Sequence, residues 1–258
     1  MVQVKKLAVA KSENNFYTGS WSDNKVDQRK LIVDVVSENI ESSRIRCLSL
    51  PGKLWAFENQ LVDLGKPLQV VGFESNRTTF ESAIPYMPRY KRRRPNFCNW
   101  RTPFGFVDAI TSEARKARFV MFDCCISTVF NGFLRFPTWK SEETAKRYQE
   151  DFNVIWIDAT CQLGCKFYSQ IMNGIPRVVS QEPSVLAFSY LKGRDDPKAS
   201  SLFRSFGGRH EYVKAAATQD GRRIRFEDSF EYSGVGGCRM VTSIFVISGE
   251  KNESDLSI

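Results

Sequence analysis

The sequence predicts an α/β domain: a mostly parallel sheet with helices on both faces. Short apolar runs alternate with segments of helical period from about residue 23 to residue 160, the pattern of strands joined by crossover helices. Three of the apolar runs end on an acid, Glu74 in "VVGFE", Asp123 in "FVMFD" and Asp158 in "VIWID". Acids at strand ends suit the ligand-binding edge of an open sheet. A chain of 258 residues with 42% hydrophobic content fills one sizeable core, so one domain is expected over 1–258.

The elements follow in order. Residues 1–22 read as an appendage. Ser22 or Asp23 caps a helix whose apolar stripe is Val26, Leu31, Ile32, Val35, Val36 and Ile40. "RIRCLSL" is a short strand closed by Pro51-Gly52. "KLWAFENQLVDLG" is a helix with Leu54, Phe57, Leu61 and Leu64 on one side and Gly65 as its stop. "KPLQVVGFE" is the next strand, and "SNRTTFESAIPYM" is a helix beginning at Ser75 or Asn76 and broken at Pro85. Residues 85–106, rich in Pro, Arg and aromatics, form an aperiodic insertion. "VDAITSEARKA" reads as a helix and "RFVMFDCC" as a buried strand followed by a loop and a second short element. "WKSEETAKRYQEDF" is a charged helix and "NVIWIDATC" a further strand.

Beyond residue 165 helix-like and strand-like signals mix. "HEYVKAAATQDG" and "RRIRFEDSFEYSG" suggest a hairpin around Asp220-Gly221, and "CRMVTSIFVISGE" a closing strand. Residues 251–258 form a polar tail.

The strand-turn-helix-strand run "RCLSLPGKLWAFENQL…LQVVGFESN", with "RFVMFDCC" behind it, resembles the class I S-adenosylmethionine-dependent methyltransferases. That resemblance implies a Rossmann-like sheet and a glycine-containing loop after the first strand. It also implies an acid after the second strand, a polar residue on a fourth strand, and a closing antiparallel pair, here within about 210–248. It assigns the cofactor S-adenosylmethionine to Leu50, Pro51, Gly52, Glu74, Ser75 and Asp123, and places Asp123 at the catalytic position. The family loop carries an acid before two or three glycines, whereas this chain has Ser49, Leu50, Pro51 and the single Gly52.

The residues themselves support a nucleoside site. An acid at Glu74 can accept both hydroxyls of a ribose, and Gly52 lies 22 positions before it. That spacing also fits a dinucleotide, whose glycine fingerprint is otherwise missing here. Plain structural roles stand beside each reading: a tight turn at Pro51-Gly52, a helix cap at Glu74, and loop caps at Asp123 and Asp158. Two acids at parallel strand ends can also hold a metal or orient an acceptor, but no metal site is assigned. The spacings "CQLGC" and Cys124-Cys125 build no zinc motif, and one histidine, His210, leaves little for a Ser-His-Asp triad. "GVGG" at 234–237 lacks the Lys-Ser/Thr ending of a phosphate loop and reads as a turn.

Charge points to a partner. Lys and Arg number 37 against 29 Asp and Glu, a formal charge of +8, and Arg89, Lys91, Arg92, Arg93 and Arg94 fall within six positions. With Tyr90, Phe97 and Trp100 interleaved, this segment suits phosphates and unpaired bases of a nucleic acid; a solvated charge run is the plain alternative. Seven cysteines without a leader-type segment read as reduced thiols in a cytoplasmic setting, and no apolar run is long enough to span a bilayer. Methyl transfer to a nucleic acid is the first expectation. A catalytically degenerate relative that binds nucleic acid or a protein partner is the second.

Overall fold

The structure, a computed structural model, describes residues 23–51, 54–83, 106–110, 117–122, 125–130, 151–193, 197–218, 222–233 and 237–248. In chain order these form α1 (Asp23–Asn39), β1 (Ile45–Ser49), α2 (Ala56–Val62), β2 (Leu68–Phe73), α3 (Arg77–Ala83), β3 (Phe106–Ile110), β4 (Ala117–Phe122), α4 (Ser127–Phe130) and β5 (Val154–Asp158). They continue as α5 (Lys166–Val178), β6 (Ser184–Leu191), α6 (Pro197–Ser205), α7 (Arg209–Ala217), β7 (Ile224–Ser233) and β8 (Arg239–Ile247). The predicted charged helix before β5, the appendage, the polar tail and most of the basic insertion lie outside the described residues.

Eight strands make one sheet in the order β3-β4-β2-β1-β5-β6-β8-β7. The five strands from β4 to β6 are parallel, while β3, β8 and β7 each pair antiparallel with their neighbours. This is the Rossmann-like α/β sheet that the alternation predicts, with its closing antiparallel pair at 224–247. The central strands are buried on both faces, so they read as continuous apolar runs rather than alternating ones. At one edge, β7 is mostly partly covered or exposed and carries Arg225, Glu227, Asp228 and Glu231, charges that discourage edge-to-edge pairing.

Two apolar layers enclose the sheet. Ile32, Val35, Val36 and Ile40 of α1, Trp55 and Phe57 beside and on α2, and Phe80 of α3 pack on Cys47, Val70, Met121 and Trp156. Phe130 of α4, Tyr168 and Ile171 of α5, Phe203 of α6 and Val213 of α7 pack with Leu48, Phe73, Ile157 and Phe188. Within α1 the buried face is Gln28, Arg29, Ile32, Val35 and Val36, continued by Ile40 just past its end, while Val26 is exposed. The helix is turned so that a glutamine enters the interior, which an apolar count misses. Gly65 takes the left-handed conformation (φ 72°) that ends the segment after α2. The Asn76 side chain accepts the Thr79 amide at 3.1 Å and so caps α3.

Two expectations are corrected. Val107–Ile110, read as the start of a helix, form a strand with Phe106, which places Phe106 opposite Phe122 and Ile110 opposite Arg118. Five residues are too short for periodicity to decide, and the open flank of β4 decides instead. The 209–217 segment is a helix, and β7 forms its hairpin with β8 through 234–238. Its Ala run favours helix, and a Gly208 φ of 135° frees the chain to enter α7.

Candidate functional site at the carboxyl edge of the sheet

From β1 the chain moves outward through β2 to β4, and β5 then returns to the other flank of β1. The strand order therefore reverses between β1 and β5, and ligands of open α/β sheets bind in the crevice outside the carboxyl ends at such a point. The residues delivered there are Ser49, Leu50 and Pro51 from β1, Asp158 from β5, and Glu74 and Ser75 one strand away on β2. The register places Ser49 opposite both Gly72 and Trp156, so Asp158 extends two residues past the level of Ser49.

Two features hold the turn after β1 in shape. Gly72 has no side chain where a Cβ would meet the Pro51 ring at 2.8 Å and the Trp55 ring at 3.3 Å. Any larger residue would displace the proline. Trp55 adopts a left-handed backbone (φ 51°), a strained state for a bulky residue, of the order of 1–3 kcal/mol. Its fully buried ring packs edge-on to Phe119 at 5.7 Å, and its indole N–H donates to the Ala83 carbonyl at 3.2 Å. Packing thus fixes a conformation that the backbone alone disfavours.

Behind this turn lies a carboxylate that sequence reading passed over as a mid-helix polar residue. Glu58 of α2 is completely buried, accepts the Ser49 hydroxyl at 2.7 Å through Oε1, and has no partner for Oε2. Burial pushes its carboxyl up to about 7, against the hydrogen bond from Ser49 and the nearby Arg29 charge, which favour the ionised form. In sequence the signal was one glutamate between Phe57 and Leu61, on the apolar side of α2.

Asp158 is tied down from two elements. Lys25 of α1 forms an ion pair and hydrogen bond with Oδ2, and the Tyr232 hydroxyl reaches Oδ1 at 3.3 Å. Lys25 also meets the Tyr232 hydroxyl at 3.1 Å and lies over its ring at 4.7 Å. Burial and the neighbouring Asp158 charge raise the Tyr232 phenol, so it stays a neutral donor. Next to this trio Gln28 donates to Ser189 and Thr242, two hydroxyls 2.8 Å apart, and its own Oε1 is buried without a partner. Helix α1 thus lies across the site on a polar seam.

Glu74 stands at the rim, half-exposed, with its amide bonded to the Phe122 carbonyl at 3.0 Å and Oε1 accepting the Asn76 amide at 2.7 Å. Ser75 is exposed. Of the residues expected at the site, the structure brings Leu50, Pro51, Glu74 and Ser75 to one edge. Gly52, Asp123, Arg89, Lys91, Arg92, Arg93, Arg94 and Trp100 lie outside the described residues. The strand leading to Asp123 is not the neighbour of β1. β4 sits beyond β2, and the strand flanking β1 on the other side is β5, which ends on Asp158. Among the described residues no three His, Cys, Asp or Glu side chains are grouped to hold a metal ion. Nor is any described helix long and apolar enough to cross a membrane.

No family model matches the chain, and no curated protein matches it by sequence. Its fold is similar to that of a SAM-dependent methyltransferase from Agrobacterium tumefaciens, at 12% identity over 88% of this chain and 62% of that one, TM-score 0.47. It is also similar to the O-methyltransferase TomG from Streptomyces achromogenes, in complex with SAM, at 13% identity, 86% and 80% coverage, TM-score 0.40. An N-methyltransferase from Haemonchus contortus in complex with S-adenosylhomocysteine aligns at 8% identity, 91% and 57% coverage, TM-score 0.48. The chain therefore spans less than two thirds of the Agrobacterium and Haemonchus proteins.

Proposed function

We propose that this chain binds S-adenosylmethionine at the carboxyl edge between β1, β2 and β5 and transfers its methyl group to a nucleic acid. The observation that carries the reading is the reversal of strand order beside β1, with an acid, Glu74, at the end of the adjoining strand. The residues present fit such a ligand. Glu74 is the acid type that receives a ribose diol, and the turn at Leu50, Pro51 and Gly52 would take the methionine end. The orphaned Oε2 of Glu58 behind that turn calls for a donor or a cation. When bound, S-adenosylmethionine supplies an electrophilic methyl group on a positively charged sulfur. The chain's own contribution is alignment of the acceptor with that methyl. Asp158, rather than Asp123, is proposed to orient the acceptor, because β5 flanks β1.

The nucleic-acid acceptor rests on the basic, aromatic segment from Arg89 to Trp100. Support comes from where that segment returns to the sheet. Phe106 pairs with Phe122, at the same carboxyl edge as the crevice. One observation favours the second reading, a non-catalytic accessory protein on the same fold: Asp158 is already engaged by Lys25 and Tyr232.

Calorimetric titration tests the cofactor. Micromolar binding of S-adenosylmethionine is expected, weakened about ten- to a hundredfold in Glu74→Ala, as for loss of a charged hydrogen bond. Absence of heat at millimolar ligand would overturn the reading. Binding without turnover on RNA or DNA would select the accessory role. For the partner, alanine replacement of Arg89 and Lys91 to Arg94 is expected to weaken RNA or DNA retention on filters and flatten its salt dependence. Unchanged retention would make the segment a solvated surface.

A further inference from the structure

Five described cysteines are free thiols, and two of them touch. Cys161 and Cys165 follow Asp158 in the connection from β5 to α5, with sulfurs 3.4 Å apart. The segment between them is held at both ends and in the middle. The Cys161 carbonyl accepts the Leu191 amide at 3.0 Å, and the Cys165 amide donates to Gln162 at 3.0 Å, closing a tight turn. Leu163 is buried, and Gly164 sits so close to α6 that a Cβ there would lie 2.3 Å from that of Ala199. Both thiols are only partly covered and pack on the rim of the core, so a small oxidant reaches them.

We propose that Cys161 and Cys165 are a reversible thiol-disulfide pair, a modification site at the edge of the crevice. The turn presents the sulfurs 3.4 Å apart, against about 2.05 Å in a disulfide. With hydrogen peroxide as oxidant, one thiol is oxidised to a sulfenic acid as the O–O bond breaks and a water leaves. The second sulfur then attacks it, forming the S–S bond and releasing a second water. Two thiols and one peroxide thus give one disulfide and two waters, and a dithiol reductant reverses the bond by exchange. The cross-link ties the carboxyl end of β5 to the amino end of α5, immobilising the segment after Asp158. The competitor is Cys125, near enough to interact electrostatically with Cys161 and 3.1 Å from the Ser127 hydroxyl. This inference does not depend on the nature of the cofactor.

The test is mild peroxide treatment of the full chain, alkylation under denaturing conditions, and mass spectrometry of the peptide holding both residues. That peptide should escape alkylation at Cys161 and Cys165, weigh two hydrogens less, and recover both thiols with dithiothreitol. Cys161→Ser or Cys165→Ser should abolish the product, whereas Cys125→Ser and the exposed Cys238→Ser should leave it unchanged. Full alkylation of both residues after peroxide, a link from Cys161 to Cys125, or irreversible over-oxidation would each overturn the assignment.

Discussion

Glu58→Gln is expected to make the protein more stable at pH 8 and to leave it little changed at pH 4. In the folded chain the carboxyl titrates at about 7, against 4.5 for the ordinary group, because burial disfavours its charge. Below 4.5 both folded and unfolded states hold the proton and the group is neutral to stability. Between 4.5 and 7 the unfolded chain releases its proton while the folded chain keeps it, so stability falls as pH rises. Above 7 both are ionised and the loss is complete. A gap of about 2.5, at about 1.4 kcal/mol each, puts the loss at roughly 3–4 kcal/mol. Glutamine keeps an oxygen that can accept the Ser49 hydroxyl and has no charge to bury. Urea midpoints of the two proteins should therefore coincide near pH 4, diverge through pH 4.5–7 and stay apart at pH 8. Taking the difference removes the other titrating groups, including His210, whose imidazole is lowered mainly by burial. Parallel curves for the two proteins from pH 4 to pH 8 would show that Glu58 is not held neutral.

The second large effect is steric. Gly174→Ala is expected to lower stability by about 3 kcal/mol, at the upper end for an overpacked core. Gly174 is buried on α5, where a Cβ would lie 2.1 Å from the carbonyl oxygen of Phe130 and 2.6 Å from its carbon atoms. Those are backbone atoms of α4, so no rotamer change relieves the clash. The same carbonyl accepts the Arg177 guanidinium at 2.9 Å, which means α4 cannot retreat without breaking that bond. Ala favours helix over Gly by roughly 1 kcal/mol, which would make this substitution stabilising if α5 stood alone. A urea midpoint equal to or above that of the parent would disprove the close helix approach.

The elements most legible in the sequence were those with local signals. Gly65 marked its stop, Asn76 its cap, and the β1, β2, β4 and β5 runs were apolar on both faces as central parallel strands require. The errors fell where the chain was decided elsewhere. Phe106–Ile110 has too few residues to show a period, and the unpaired flank of β4 makes it a strand. Arg209–Ala217 forms a helix that packs on α5, and β7 pairs antiparallel with β8 instead. At the site, the rim acid Glu74 was readable because it terminates an apolar run. Glu58 was not, since one glutamate in an amphipathic helix looks solvated until the rotation of α2 is known.

Composition and alternation by themselves determined an α/β sheet, while the strand-end acids and the basic segment gave only candidates, its carboxyl edge for a ligand and Arg89–Arg94 for phosphates. Those features are local or additive, so they survive without coordinates. The tertiary structure alone decided that β5 rather than β4 flanks β1, so that the strand ending on Asp158 lies beside it. It also decided that α1 brings Lys25 to Asp158 and Gln28 to Ser189 and Thr242, and that Glu58 sits buried against the Ser49 hydroxyl. Each depends on which strands pair and which helix face turns inward, and those choices are settled by burying the whole apolar surface at once.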